Sequence, residues 1–434
     1  MFARGVVVVL VTLVAFTAQA ADSGLSAALD ELAVAADEEK NLSPEFKEAL
    51  NGLIGALRET QAAAPGNPSV SAPSDSFFEK LHPFADFRLR YEHRRNRPGR
   101  DDRNRSRIRF RIGAEYDLHP ELRAGFRLRT GDPNDPNSPH RTLGGRHSDG
   151  GGGMFDSFEI ALVRAYLKYK PSWFEGSTIW AGKFDHPFVK NPVYGELVWD
   201  DDVNPEGVAG VYKWSDGNGL DLRFAAGEYF LVESGGADEA SMTVLQGAAG
   251  LGITDDLKAQ VAVGWYRYAN LNADGSLVSI ADNGGCPGCN ALDASGEYAS
   301  GFRVLNPIAS LTYSGLAVPI TLSGEFILNT SADSSRDDDG YAVGVAAGKV
   351  SGPGDWKVWY QFQNISREAL FSGFAQDDFL MATNYSGHVA AVDYGLAKGI
   401  SLRAWGLVSR PIDRLGGRFD DDEVQVRVDL NAKF

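Results

Sequence analysis

The sequence predicts an all-β transmembrane protein, an antiparallel sixteen-stranded outer-membrane β-barrel preceded by a short periplasmic helical segment. From position 84 to the end, apolar and polar side chains alternate with a period of two, as in strands with one apolar face. Short links and long polar links join these segments in turn, which is typical of bacterial outer-membrane barrels. An even number of strands closes such a barrel with both termini on one side.

The first 82 residues predict three parts before the barrel domain at 83–434. Residues 1–20 combine Arg4, an apolar run and an A-Q-A site, which indicates a signal peptide too short to serve as a membrane anchor. Residues 21–61 are acidic and carry one amphipathic pattern, which predicts a periplasmic helical or coil segment. Residues 62–82 are rich in Pro and Ser and predict a linker.

The first barrel strands carry a basic side chain at every second position. An arginine facing lipid at mid-depth costs about 2 to 4 kcal/mol, so the apolar partners must face lipid and the arginines the lumen. Sixteen strands enclose an aqueous channel, because about eight already fill their interior with side chains. The predicted pore-lining basic ladder is Arg88, Arg90, Arg107, Arg109, Arg111, Arg123, Arg127, Arg129, Arg164 and Lys168.

The overall charge excludes one common interpretation of clustered arginines. Proteins that bind nucleic acid through such clusters are usually basic overall. This chain has 58 acidic and 42 basic residues and a formal net charge of −16. We therefore expect no nucleic-acid partner.

The third long link, residues 185–205, predicts a constriction loop. If it folds into the bore, its acids face the ladder and create a transverse field in which zwitterions and small polar solutes orient. The alternative is that these acids stay at the extracellular rim. The predicted constriction residues are Glu196, Asp200, Asp201, Asp202 and Glu206.

The last strand alternates up to Phe434, in the sequence E-V-Q-V-R-V-D-L-N-A-K-F. It resembles the C-terminal strand of bacterial outer-membrane proteins, which ends in an aromatic residue that the barrel-assembly machinery recognises. Phe434 is therefore predicted to be the barrel-closing terminus.

The two cysteines, Cys286 and Cys289, lie together in the sequence C-P-G-C. This spacing suits one local disulfide in an oxidising compartment.

Several stretches between about 80 and 215, among them G-F-R-L-R-T-G-D-P-N-D-P-N-S, W-A-G-K-F-D-H-P-F and L-V-W-D-D-D-V-N-P-E-G-V-A-G, resemble a family of outer-membrane porins of Gram-negative bacteria. The resemblance implies a sixteen-stranded, homotrimeric diffusion channel in contact with outer-membrane lipid. We therefore expect a porin for passive diffusion of small hydrophilic solutes, anionic or zwitterionic, with no cofactor.

Two other classes stay open, an outer-membrane enzyme and a barrel that acts as a sleeve or adhesin without a pore. An enzyme would need a nucleophile beside a base. Only seven His occur, and His186, beside Asp185, is the one candidate base. C-P-G-C lacks a helix that would activate a thiol, and the acidic stretches at 337–339 and 420–423 lack calcium-loop spacing. We expect neither an enzyme nor a metal site.

Overall fold

The structure is a computed structural model that describes residues 77–95, 101–145, 155, 157–195, 197–233, 239–272, 289–334, 336–376, 378–379, 381–413 and 421–434. The chain divides into two compact units, Met1–Ser74 and Asp75–Phe434. The first unit lies outside the described residues, and so do the predicted signal peptide at 1–20 and the helical segment at 21–61. Both stay predictions.

Besides a 3-10 helix at Ser372–Phe374, the described residues of the second unit form one short α-helix and seventeen strands in one sheet. They are α1 (Phe77–Lys80), β1 (Leu81–Arg95), β2 (Arg103–His119), β3 (Leu122–Thr130), β4 (Arg141–Thr142), β5 (Ile160–Tyr169), β6 (Ser177–Lys183), β7 (Glu206–Ser215), β8 (Leu220–Val232), β9 (Ala240–Gly252), β10 (Leu257–Ala269), β11 (Arg303–Tyr313), β12 (Ile320–Asn329), β13 (Asp339–Gly348), β14 (Trp356–Ile365), β15 (Tyr385–Ala397), β16 (Ile400–Pro411) and β17 (Glu423–Lys433).

The sheet closes on itself as a barrel. Each wall strand pairs antiparallel with its neighbours along the chain, and β17 pairs with β1. The backbones of Ala85 and Phe434 exchange two hydrogen bonds, of 2.7 and 3.0 Å, at this seam. The two residues of β4 pair with Arg107 and Ile108 of β2, beyond the part of β2 that pairs with β3. β4 is therefore not counted as a separate strand of the wall. Sixteen strands therefore form the wall, as predicted.

Two predicted boundaries differ from the structure. Strand β1 begins at Leu81 and α1 at Phe77, both inside the segment predicted as a linker at 62–82. The alternating pattern predicts a strand from about position 380, whereas β15 begins at Tyr385. Met381, Thr383 and Asn384, just before it, are buried and do not join the wall.

The wall is apolar outside and largely polar inside on its first three long strands. Outward side chains such as Leu89 and Phe126 are exposed, whereas the alternating Arg90 and Arg127 are buried within. This arrangement follows from the period of two along a strand. Among the described residues, no helix is long and apolar enough to cross a membrane.

Candidate functional site

A first inserted segment, residues 184–205, runs across the bore between β6 and β7. It contacts inward side chains on well-separated strands. The Val189 amide donates to Gln246 of β9 at 2.7 Å, and Gln361 of β14 donates to the Tyr194 carbonyl at 3.2 Å. At its far end Asp202 accepts from Arg111 of β2 at 2.9 Å.

A second inserted segment, the described residues 366–376, 378–379 and 381–384, lies between β14 and β15 and also occupies the bore. The amide of Asp200 donates to its Phe374 carbonyl at 2.9 Å, and the hydroxyl of Tyr194 donates to its Asp378 at 2.8 Å. Asp378 also forms a salt bridge with Arg427 of β17. The sequence pattern makes residues 366–378 one of the long polar links, which are extracellular in such barrels. The structure instead sets Phe374 and Asp378 of this segment against the first inserted segment.

An apolar cluster holds both inserted segments against the inner wall. Tyr194 stacks on Trp359 of β14 with ring centroids 5.5 Å apart, and Phe371 lies 5.0 Å from Tyr268 of β10. The cluster is a packed core of buried apolar side chains inside the barrel. A cavity of 410 Å³ adjoins inward side chains of β7 to β10, among them Lys213, Asp221 and Arg223, and further free space lies along the charged side of the bore.

On the charged side, the ladder is neutralised partly by acids of the wall itself. Asp86 of β1 accepts from Arg109 at 2.8 Å and from Arg111 at 2.6 Å. Across the barrel seam, Asp429 of β17 accepts two bonds from Arg90, of 2.8 and 2.9 Å. Such paired guanidinium contacts fix the side chains in extended, parallel positions along the wall.

Glu92 of β1 is fully buried and shared by three arginines. Arg105 and Arg427 bind it closely, at 2.5 and 3.0 Å, whereas Arg107 lies 4.0 Å away. Arg107 instead donates to the Ser138 hydroxyl at 3.0 Å. Arg107 is therefore the least neutralised of these three guanidiniums.

Two adjoining cavities follow the ladder past the inserted segments. The larger, of 220 Å³, adjoins Lys433 near the short-turn end, and the smaller, of 70 Å³, adjoins Arg94 nearer the long loops. The larger is lined by Arg88, Arg90, Arg109, Arg111, Tyr194, Asp201, Asp202, Asp378, Arg403, Trp405, Arg427, Asp429 and Lys433. The smaller is lined by Arg88, Arg90, Arg94, Arg105, Arg107, Asn137, Ser138, His140, Asp200, Asp202, Asp378 and Arg427.

Five residues line both cavities and so mark the place where the two cavities adjoin. They are Arg88, Arg90, Asp202, Asp378 and Arg427. Three bases on the wall thus face two acids, one from each inserted segment. A solute crossing here meets opposite charges on opposite sides.

The structure brings together half of the predicted basic ladder. Arg88, Arg90, Arg107, Arg109 and Arg111 line one or both cavities. The other five members line neither of these two cavities, and their place in the pore lining stays a prediction.

Two of those other members, Arg123 and Lys168, lie at the short-turn end and bind Glu115, at 3.0 and 3.2 Å. Arg127 and Arg164 donate to Asn204 of the first inserted segment, at 3.3 and 2.5 Å. Arg129 donates to the backbone carbonyls of the loop after β3. Arg127, Arg129 and Arg164 thus contact loop segments, whereas Arg123 and Lys168 contact a carboxylate of β2. None of the five lines either cavity.

Some of the predicted constriction residues line the cavities and others do not. Asp200 and Asp202 line the path, and Asp201 lines the larger cavity while pairing with Lys190. Glu206 begins β7, is exposed and binds Lys183 at 2.5 Å. It lines neither cavity, and its place in the constriction stays a prediction. Glu196 lies outside the described residues.

Sequence reasoning missed several lining residues, among them Asp378, Arg403, Trp405, Arg427 and Asp429. Arg427 and Asp429 alternate with valines in the last strand, so the period of two already placed them inside. What was not evident is that closure sets β17 beside β1 and so beside the ladder. Arg427 also lies over the Trp405 ring, 4.6 Å from its centroid.

Two buried histidines adjoin the bore without adding charge. Burial, and then the neighbouring Arg90 and Arg107, hold the pKa of His140 well below its ordinary value. Burial does the same for His186, which lies between Phe188 and Trp199. A buried, apolar setting is that of a packing residue more than of a catalytic base.

Cys289 is buried and disulfide-bonded, and Cys286 lies outside the described residues. The carbonyl of Cys289 accepts from Arg367 at 2.8 Å, which ties this loop to the second inserted segment. The pairing of Cys286 with Cys289 stays a prediction.

A closed wall of sixteen antiparallel strands, apolar outside and charged along one inner side, defines an outer-membrane barrel of the porin class. The chain matches the family described as "Putative porin" over residues 88–300 and 297–434, and it belongs to that family. Together the family and the fold place the chain in the outer membrane.

Solved structures share the fold at low sequence identity. OprB of Pseudomonas putida is 12% identical with a TM-score of 0.52, over 82% of this chain and 95% of that one. OmpF of Salmonella typhi is 12% identical with a TM-score of 0.45, over 82% and 97%. Comparison with curated proteins finds no match.

Proposed function

We propose that this porin passes small hydrophilic solutes by passive diffusion and prefers anions, or zwitterions that enter carboxylate first. The observation that carries the proposal is the charge along the path. Seven basic and four acidic side chains line the larger cavity, and six basic and three acidic side chains line the smaller one. Basic groups at this range act on any ion that passes, and confinement strengthens their effect.

Acids behind the path reduce this excess without reversing its direction. Asp86 pairs with Arg109 and Arg111. Glu92 pairs with Arg105 and lies 4.0 Å from Arg107. Neither acid lines either cavity. Among the described residues, the carboxylate nearest to Arg107 is that of Glu92, at 4.0 Å. The surface that a solute meets therefore presents more guanidinium donors than carboxylate acceptors.

The small size of the two cavities limits the solutes. Volumes of 220 and 70 Å³ hold a compact polar molecule, not an extended one. The same narrowness favours the second candidate function, a barrel that acts as a sleeve or adhesin and conducts no ions. We propose no enzymatic activity, no cofactor and a homotrimeric assembly inserted by the barrel-assembly machinery.

Reversal potentials of refolded protein in planar bilayers with a salt gradient test the proposal. We expect the wild type to favour anions and Arg107→Gln, Arg109→Gln and Arg111→Gln together to move the reversal potential toward cations. Arg107→Gln alone should move it in the same direction, since Arg107 has the weakest acidic partner. Heat-modifiable migration on gels checks that each variant is folded.

Arg123→Gln is the matched control, because Arg123 binds Asp117 and Glu115 at the short-turn end and lines neither cavity. It should leave the reversal potential unchanged. If the folded triple variant keeps both wild-type selectivity and conductance, these arginines do not line the path. Absence of any conductance would favour the sleeve or adhesin.

A further inference from the structure

The outer face of the barrel carries a groove between β6 and β10, far from the ladder. Its volume is 690 Å³, larger than that of the cavities inside the bore. Its walls are the exposed side chains of Phe224, Leu245 and Val263, beside Trp265. Since these side chains face outward from the wall, the groove opens toward the acyl chains of the membrane.

Glycines form part of the floor of this groove. A Cβ atom at Gly210 would meet nothing within 4 Å, and one at Gly247 would meet only the Phe224 ring at 4.0 Å. Nothing within the chain therefore requires glycine there. Glycine inside a strand weakens it, so these positions keep a concave surface open at a cost in strand stability.

Two arginines stand directly above one wall of the groove. On the outward face of β10, Val263, Trp265 and Arg267 follow one another toward the long-loop end. Arg267 lies opposite Arg303 of β11, and both side chains are exposed. Like charges directly opposite each other destabilise a strand pair.

No acid offsets this pair within the described part of the chain. Neither guanidinium takes part in a salt bridge or side-chain hydrogen bond there. The acid in the same cross-strand row is Glu228, two strands from Arg267, and it accepts from the Thr243 hydroxyl at 2.6 Å. The two guanidinium groups can therefore bind an anion that does not belong to the chain.

We propose that this face binds a membrane lipid with a phosphorylated headgroup, its acyl chain in the groove and its phosphate between Arg267 and Arg303. Arginine forks match phosphate geometry, and an acyl chain fills an apolar groove that no side chain of the described residues occupies. The inference rests on the outer-membrane location and not on ion conduction. Either can therefore fail without the other.

Native mass spectrometry of the delipidated full chain in nonionic detergent tests the site. The probes are dioleoyl phosphatidic acid and dioleoylglycerol, which share acyl chains and differ in the phosphate, and inorganic phosphate alone. We expect the wild type to retain phosphatidic acid at least tenfold better than either other probe. Arg267→Gln with Arg303→Gln should abolish that preference, while Arg267→Lys with Arg303→Lys should keep part of it.

Arg410→Gln is the matched control, since Arg410 is an exposed outward arginine of β16 opposite Ser386 and not opposite a second arginine. It should bind phosphatidic acid like the wild type. Gly247→Leu, whose side chain would enter the groove, should lower retention with both arginines intact. Both variants must show the heat-modifiable migration of the folded barrel.

Three outcomes would overturn the proposal. They are wild-type retention of phosphatidic acid by the double Gln variant, equal retention of dioleoylglycerol, and equal retention of inorganic phosphate. A change in oligomeric mass caused by Gly247→Leu, without a change in lipid retention, would show instead that a second copy covers the groove.

Discussion

The two inner sides of this barrel are built from different chemistry. From β1 to β3 and at β17, the inward side chains are arginines with acidic partners, as in the pair of Arg90 with Asp429. From β8 to β16 they include Tyr229, Tyr268 and Trp359, which pack against the inserted segments. The apolar side therefore fixes where the inserted segments stand, and we propose that the charged side sets what passes between these segments and the wall.

This division explains why the inserted segments are stable in a bore that water can enter. Buried apolar contacts hold them on one side, so their acids need not supply the binding energy on the other. Ion pairs that remain partly in contact with water contribute little to stability. The acids are then free to shape the field along the path.

The largest effect should follow from breaking the apolar side. Phe371 is buried among Tyr268, Tyr298, Phe302 and Phe374, with ring centroids 5.0 to 5.6 Å away. Truncation of such a side chain costs about 3 to 5 kcal/mol. We expect Phe371→Ala to release the second inserted segment and raise single-channel conductance several-fold.

Phe230→Ala is the control for that measurement, because Phe230 is an outward aromatic on β8 that is 60% exposed. Its conductance should equal that of the wild type. A folded Phe371→Ala variant with wild-type conductance would mean that the apolar cluster does not hold the segment in the bore.

A change on the charged side should alter selectivity and leave the loops in place. Asp86→Asn keeps the shape of the side chain but removes the carboxylate shared by Arg109 and Arg111. We expect anion permeability to rise several-fold relative to cation permeability, read from the reversal potential. Asp117→Asn, at the short-turn end beside Arg123 and His82, should have no such effect. A shift toward cations would contradict the assignment of the path.

A smaller effect concerns the stability of the second inserted segment, which should depend on pH where the loop before β11 contacts it. Glu368 is buried and accepts from the Ala291 amide at 2.6 Å. Burial raises the pKa of Glu368 above its ordinary value of 4.5. A folded-state pKa above the unfolded one means that the seated segment binds more protons, so its stability falls as pH rises through and above 4.5.

Hydrogen exchange of the amides at 366–376 measures this stability. Protection should decrease as pH rises through that window, after correction for the intrinsic exchange rate. Glu368→Gln should remove the dependence, since it stays neutral. Asn290→Ala should lower protection at every pH, because the Asn290 amide donates to the carbonyls of Arg367 and Leu370. A pH dependence that persists in Glu368→Gln would assign it to another group.

The sixteen strands and the inward direction of the arginines could be predicted because both follow from local rules. The period of two fixes which side chains share a face, and the cost of arginine in lipid decides which face points inward. The same rules placed Asp86, Glu92 and Asp429 inside. They did not show that Arg90 pairs with Asp429, because that contact depends on the register of the first strand against the last.

The second inserted segment was missed for a different reason. Its sequence lies between two strands like any polar link, yet it carries Leu370, Phe371, Phe374 and Phe379 within a few residues. A solvent-exposed link rarely carries so many large apolar side chains, because such side chains are usually buried. That signal was present, but the place where these side chains are buried depends on the inner faces of distant strands, which no local pattern reveals.

The smallest change in reversal potential should follow from Asp201→Asn, although the neighbouring Asp202→Asn should change it much more. Asp202 is 17% exposed at its side chain, binds Arg111 at 2.9 Å and lines both cavities. Asp201 is 54% exposed and binds Lys190 of its own segment, and exposed pairs contribute about 0 to 1 kcal/mol. We expect Asp202→Asn to move the reversal potential clearly toward anions and Asp201→Asn to change it by less than a third as much. Equal shifts would mean that solutes pass on the outer side of the first inserted segment, and the path would then not run between Asp202 and the ladder.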